Sequence, residues 1–308
     1  MAIQWYPGHM HKAQKEIGEI MPGVDVIIEV LDARIPYSSE NPMVSSLRGD
    51  KPCIKVLNKS DLADPELTQA WQAHLEKERG IKTFAISCAQ QPQMASQLLK
   101  LVRQTVPNKG SADKQINALI CGIPNVGKST LINILAGRIV AKTGNEPAVT
   151  KAQQRIRLDG HIVLRDTPGM LWPKFDNEAS GYRLAVTGAV KDTAISHDEV
   201  AAFAAEYLLL AYPTLIKERY GFESLPESEI ELLEEIGRKR GCLVRGGHID
   251  FTKVSTIVLN ELRDATLGRI TLESPEMAVA EQAAVDIMLA EKAADPNKQK
   301  RRKRPRRY

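Results

Sequence analysis

Short apolar, β-branched runs alternate with amphipathic runs through the first half of the chain. Val24-Asp-Val-Ile-Ile-Glu-Val-Leu31 lies between Pro22-Gly23 and the turn-like Asp32-Ala-Arg-Ile-Pro36, which predicts a buried strand over 24–31. Runs of the same kind predict strands over 53–57, 82–86 and 116–121. Leu67, Trp71 and Leu75 stand one helical turn apart and predict a helix over 65–79. Helices are also predicted over 93–104 and 128–136, and two strands, 155–158 and 161–165, flank the turn Asp159-Gly160. Strands alternating with helices imply an α/β fold: a mainly parallel sheet with helices on both faces. After residue 178 the texture changes. Residues 198–211, 229–240 and 253–266 have helical spacing and are separated by Tyr220-Gly221, Arg240-Gly241 and Gly246-Gly247. The predicted organisation is an α/β domain over 1–178, a small all-α domain over 179–275, and a helix (276–293) with a basic tail over 276–308.

The residues that interrupt these runs carry the chemistry. In open α/β sheets ligands sit beyond the carboxyl ends of strands, and four polar motifs fall there. Gly122-Ile-Pro-Asn-Val-Gly127-Lys128-Ser129 follows a predicted strand and opens a predicted helix, the context of a phosphate-binding P-loop. Backbone N–H groups of Asn125, Val126, Gly127, Lys128, Ser129 and Thr130 would wrap phosphates. Lys128 would reach the β- and γ-phosphates, and Ser129 would ligate Mg²⁺. Asp166-Thr-Pro-Gly169 supplies a second Mg²⁺ contact through Asp166, by way of water, and a γ-phosphate contact through the Gly169 N–H. Thr150 is the favoured switch threonine to complete the Mg²⁺ shell, from its spacing to Asp166, with Thr143 as competitor.

Base selection falls to Asn58-Lys59-Ser60-Asp61. A carboxylate at Asp61 accepts both the ring N–H and the exocyclic amine of guanine, an arrangement adenine cannot offer, and such a site rejects the wrong base strongly. That argues against an ATPase. Ser87 and Cys88 occupy the place of the loop whose backbone N–H groups back the guanine carbonyl. The order is unusual, because a GTPase ordinarily carries its P-loop first and its guanine motif late. Here Asn58 precedes Gly122, so the domain reads as a circularly permuted P-loop GTPase. The residue after Gly169 is Met170, not a glutamine able to orient the attacking water. Asn125 is either a plain loop residue or the amide ligand of a K⁺ ion bridging the phosphates.

Composition narrows the setting. A hydrophobic fraction of 43% and a charged fraction of 26% are those of a soluble globular protein. No apolar run approaches the ~18–20 residues a bilayer span needs. The N-terminus lacks the basic and apolar regions of a signal peptide, and Cys53, Cys88, Cys121 and Cys242 are scattered without metal-ligand spacing. A cytoplasmic protein is expected. The net charge of +4 is unevenly spread, since residues 298–307 hold eight basic residues and no acidic one. Such a block is either a solubilising tail or, the preferred reading, a binder of phosphate backbone.

Several further stretches bear on identity: Trp5-Tyr6-Pro7-Gly8-His9-Met10, Asp32-Ala-Arg-Ile-Pro36, Leu171-Trp-Pro-Lys174, Arg183-Leu-Ala-Val-Thr-Gly188 and Lys239-Arg-Gly-Cys242. With the permuted motifs they closely resemble the bacterial ribosome biogenesis GTPase A family, from about residue 2 to about residue 275. The resemblance implies a GTPase that acts late in assembly of the large (50S) ribosomal subunit and hydrolyses GTP in response to the maturing particle. It also implies that the helical domain contacts ribosomal RNA and that His9 assists hydrolysis; no membrane or DNA partner is expected. Glu146-Pro-Ala-Val-Thr150-Lys151 departs from the Pro-Gly and Thr-Thr pattern of relatives, and the tail after residue 276 lies outside the resemblance. A rival reading is a GTP-dependent RNA-binding scaffold with little hydrolysis. A further one is a regulator of tRNA modification or of a membrane transporter, but no constellation for base modification is visible.

Overall fold

The computed structural model describes residues 15–89, 92–110, 114–141, 154–158, 161–173, 175–191, 193 and 195–294. His9 and the rest of its motif, Thr143, Thr150, the turn at 159–160 and the basic run 298–307 lie outside the described residues.

Helix α1 is described over residues 15–20 and leads into β1 (Val26–Asp32). Two short helices, α2 (Pro36–Ser39) and α3 (Pro42–Arg48), precede β2 (Cys53–Asn58). Helix α4 (Pro65–Leu75) joins β2 to β3 (Ile81–Ile86), and α5 (Ala95–Thr105) joins β3 to β4 (Ile116–Gly122). Helix α6 (Lys128–Ala136) follows β4, then β5 (Gln154–Arg157) and β6 (Ile162–Asp166) form a hairpin. The six strands lie in the order β3-β2-β1-β4-β6-β5. Every neighbouring pair is parallel except β5 with β6.

This order explains the rotated motifs. Traced from β4, a chain would place β5 and β6 on one side and then β1, β2 and β3 on the other. The winding changes direction beside β4, which is where a doubly wound sheet opens a crevice for its ligand. The permutation changes where the chain enters the sheet and leaves that crevice in place.

All seven residues of β1 are buried, as expected for a parallel strand covered on both faces. Val26, Ile28 and Val30 face one hydrophobic cluster with Leu98, Leu131 and Leu164. Ile27 and Leu31 face the other with Ile17, Trp71 and Leu75, the two-residue alternation of a strand. Helix α4 stops at Leu75, short of the expected 79, because residues 76–80 are all exposed and have no face to bury.

Helices follow in close succession after the sheet: α7 (Glu178–Val186), α8 (His197–Ala211), α9 (Pro213–Tyr220), α10 (Glu229–Lys239), α11 (Phe251–Arg263) and α12 (Pro275–Ala294). The first hydrophobic cluster runs on from the sheet through Leu184, Val200, Leu208, Leu232 and Val258. Helix α12 returns to the other face, where Ala278 joins the cluster of Trp71 and Leu75. Among the described residues no single helix is long and apolar enough to cross a membrane.

Candidate functional site

Five loops meet at the carboxyl ends of β1, β2, β3, β4 and β6, and side-chain hydrogen bonds and ion pairs set their mutual geometry. The P-loop leaves β4 at Gly122 and enters α6 at Lys128. Asn125 and Gly127 both take left-handed backbone, with φ of 61° and 87°. Among the described residues no side chain caps the start of α6, which leaves its first N–H groups directed as they are in anion-binding helix termini. Gly127 must be glycine for a further reason: a Cβ there would stand 2.2 Å from the Asn58 amide nitrogen.

Asn58 is the joint of the site. It ends β2, is buried, and donates from its amide nitrogen to the Val126 carbonyl at 2.6 Å. Its amide oxygen accepts the Cys88 N–H at 3.2 Å. One side chain thus binds the P-loop to the Ser87-Cys88 loop, across strands that are far apart in the chain. Ser87 and Cys88 are both buried, and burial pushes the Cys88 thiol up to about 12, so it stays a neutral thiol.

Lys59 is held in left-handed backbone (φ 61°) with its ammonium 2.9 Å from Asp32 Oδ2. Burial lowers the Lys59 pKa against the pull of Asp32. The same Asp32 carboxylate accepts from Arg34 Nε at 2.9 Å and from Arg34 Nη2 at 2.7 Å. Burial would raise the Asp32 carboxyl, yet Arg34 and Lys59 together hold it well below the usual carboxylate range. The Ser60 N–H donates to the Ile86 carbonyl at 3.2 Å, which keeps this loop beside β3. The half-buried Asp61 carboxylate makes no hydrogen bond among the described residues.

Opposite these loops, Asp166 ends β6 with its side chain buried beside Lys128, and the two form an ion pair. Burial raises the Asp166 carboxyl against the pull of Lys128. Its second oxygen, Oδ2, is buried and has no hydrogen-bond partner among the described residues. A buried carboxylate oxygen without a donor is costly unless a cation takes it up. Asp166 with the Ser129 hydroxyl therefore fits a Mg²⁺ ion, a hard cation bound by oxygen ligands. Gly169 lies against the P-loop, where a Cβ would be 3.1 Å from Pro124 Cα.

Met170 is buried, with its N–H donating to the Gly122 carbonyl at 3.1 Å. Its side chain belongs to the core with Leu119 and Cys121, so it cannot handle water. The Asn125 amide nitrogen donates to the Gly188 carbonyl at 2.7 Å. The structure thus brings together Asn58, Lys59, Ser60, Asp61, Ser87, Cys88, the 125–130 loop, Asp166 and Gly169 at the carboxyl ends of the strands.

Four contributors have no role assigned from sequence. Asp32, itself held by Arg34, pairs with Lys59, and the only sign of this in the sequence is an acid and a base at the end of an apolar run. Asn41 donates from its side chain to the Met170 carbonyl at 3.2 Å and from its backbone to buried Glu29 at 3.0 Å, which ties the segment after Asp166 to β1. Arg269 reaches the guanine loop from more than 200 residues away, and no local pattern announces it.

Residues 117–220 match the family model described as a 50S ribosome-binding GTPase. The chain is 45% identical to ribosome biogenesis GTPase A of Bacillus licheniformis over 90% of this chain and 99% of that one. It is 31% identical to the protein of the same name from Thermotoga maritima, over 89% of this chain and 95% of the relative. A GDP-bound YlqF structure superposes with a TM-score of 0.61 at 27% identity, covering 85% of this chain and 99% of the other. A GNP-bound YlqF from T. maritima superposes with a TM-score of 0.59 at 26% identity, covering 86% and 99%. Permuted sheet, phosphate loop, guanine loop and relatives agree: the chain belongs to the ribosome biogenesis GTPase A family.

Proposed function

We propose that this chain binds GTP in the crevice at the carboxyl end of β4 and hydrolyses it late in assembly of the large ribosomal subunit. The observation that carries the reading is Asn58, which joins the phosphate loop to the base loop by two hydrogen bonds. In this reading Asp61 selects guanine, the N–H groups of Asn125 to Thr130 cradle the phosphates, and Lys128 leaves Asp166 for the β- and γ-phosphate oxygens. Ser129, Asp166 and Thr150 hold Mg²⁺. Bound Mg²⁺ supplies charge neutralisation at the phosphates. Asn125 contributes its amide oxygen to K⁺, and His9 orients the attacking water in place of the buried Met170.

The α/β part (1–178) carries the chemistry, the helical part (179–275) meets ribosomal RNA, and the basic run 298–307 holds phosphate backbone in the cytoplasm. The names of the relatives favour hydrolysis over a scaffold role. The test is GTP turnover by the purified protein in K⁺ and in Na⁺, with and without isolated large subunits. A large rise on adding subunits, greater in K⁺, is expected. Slow turnover in all four conditions, with GTP still bound, would sink the enzymatic reading and leave the scaffold.

A further inference from the structure

Between α11 and α12 the chain runs as an extended segment along the guanine loop. Arg269, exposed to solvent, donates from Nη2 to the Ser60 carbonyl at 2.8 Å and from Nε to the Ala63 carbonyl at 2.9 Å. The Ile270 N–H donates to the Leu62 carbonyl at 3.1 Å. Thr271 Oγ1 accepts the Asp64 N–H at 3.1 Å, and the Leu272 N–H donates to the Arg34 carbonyl at 2.8 Å. Residues 60, 62, 63 and 64 are thus each held by the segment, with Asp61 between them.

The segment is itself firmly seated. Ile270, Thr271, Leu272 and Glu273 are buried. The Thr271 N–H donates to the Tyr212 hydroxyl at 3.1 Å, and the Tyr207 hydroxyl donates to the Thr271 carbonyl at 3.1 Å. The Glu273 carbonyl accepts from Trp71 Nε1 at 3.0 Å. Asp61 makes no bond of its own among the described residues, so its position follows from the backbone on either side. That backbone is loop, where position is easily lost unless something fixes it.

We propose that residues 269–273 are a strap that positions Asp61, with Arg269 and Thr271 as positioning residues for base selection. The strap rests on the reading of Asp61 as the guanine acceptor. It acts on the base alone: of the loops around the site, its hydrogen bonds reach the guanine loop and Ala33 and Arg34, and among the described residues none reaches the phosphate loop. A loosened strap therefore weakens both contacts of Asp61 with guanine, of which inosine keeps only the ring N–H, and spares the phosphate contacts.

The experiment compares affinities for GDP and for inosine diphosphate, which lacks the exocyclic amine, in the full-length protein. The variants are Arg269→Ala, at an exposed position, and Thr271→Val, which keeps volume and removes the acceptor for Asp64 N–H. Wild-type protein is expected to prefer GDP, and each variant to lose GDP affinity by about tenfold while inosine diphosphate changes by less than about threefold. Equal losses for both nucleotides, or unchanged preference in both variants, would overturn the strap and leave the guanine reading intact. A wild-type protein that bound GDP and inosine diphosphate alike would instead overturn the guanine reading itself, and the strap with it.

Discussion

At the scale of single residues the site depends on where charge is placed in a buried sheet. Glu29 lies mid-strand in β1, where burial first, and Glu40 second, push its carboxyl up to about 8 from 4.5. A carboxyl whose folded pKa is raised is most favourable below its unfolded value. Its contribution is therefore full below pH 4.5 and is lost as the pH rises towards 8. Glu29→Gln is expected to change stability little at pH 5 and to raise the melting temperature over wild type increasingly up to pH 9. A calorimetric difference that stays flat with pH would refute that assignment. Glu29 shows what the sequence conceals: its placement in an apolar run was visible, but not the Asn41 N–H and the neighbouring Glu40 that surround it. The reverse holds for Lys128 and Asp166, whose motifs mark them in the sequence and which the fold brings together as an ion pair.

Elements position these residues through their ends. Helix α6 starts directly from left-handed Gly127, and β2 ends on Asn58, so the two termini meet with no room for a Cβ. Gly127→Ala is expected to displace the Asn58 amide and break its bonds to Val126 and Cys88. Left-handed strain adds to that loss. GTP affinity should fall on the order of a hundredfold, measured by calorimetric titration, whereas a loss within about threefold would show that the loops do not depend on Asn58. Long, periodic elements such as α6 and the strands were legible from their apolar spacing. The one-turn α2 was not, because four residues after Ile35 carry no period and the helix is started by Pro36. Helix α7 escaped because Gly181 sits inside it and its buried face includes Ser180 and Arg183.

Across the whole molecule, the helices after residue 178 are bound to the sheet by buried charge as well as by apolar packing. Arg183 of α7 pairs with Glu281 of α12 at 2.6 Å and with Glu273 at 3.3 Å. Glu273 also accepts the Ser38 N–H of α2 at 2.9 Å. Burial raises the Glu273 carboxyl against the pull of Arg183. Arg183→Met leaves that carboxyl without its cation and is expected to destabilise the fold by about 3 kcal/mol in urea unfolding. A change below about 1 kcal/mol would mean that apolar packing alone holds the helices. Contacts of this range, like those of Arg269, join residues far apart in sequence, and no local pattern encodes them.

The central claim is that a base loop from the first part of the chain and a phosphate loop from its middle form one guanine nucleotide site. The most direct measurement is the affinity for GTP and for xanthosine triphosphate of wild-type protein and of Asp61→Asn. Xanthine carries a carbonyl where guanine carries its amine, so an amide at position 61 can donate to it. Wild-type protein is expected to prefer GTP and Asp61→Asn to reverse the preference, with Lys128 and the phosphate contacts unchanged. Equal weakening of both nucleotides by Asp61→Asn, or no effect on either, would contradict that claim.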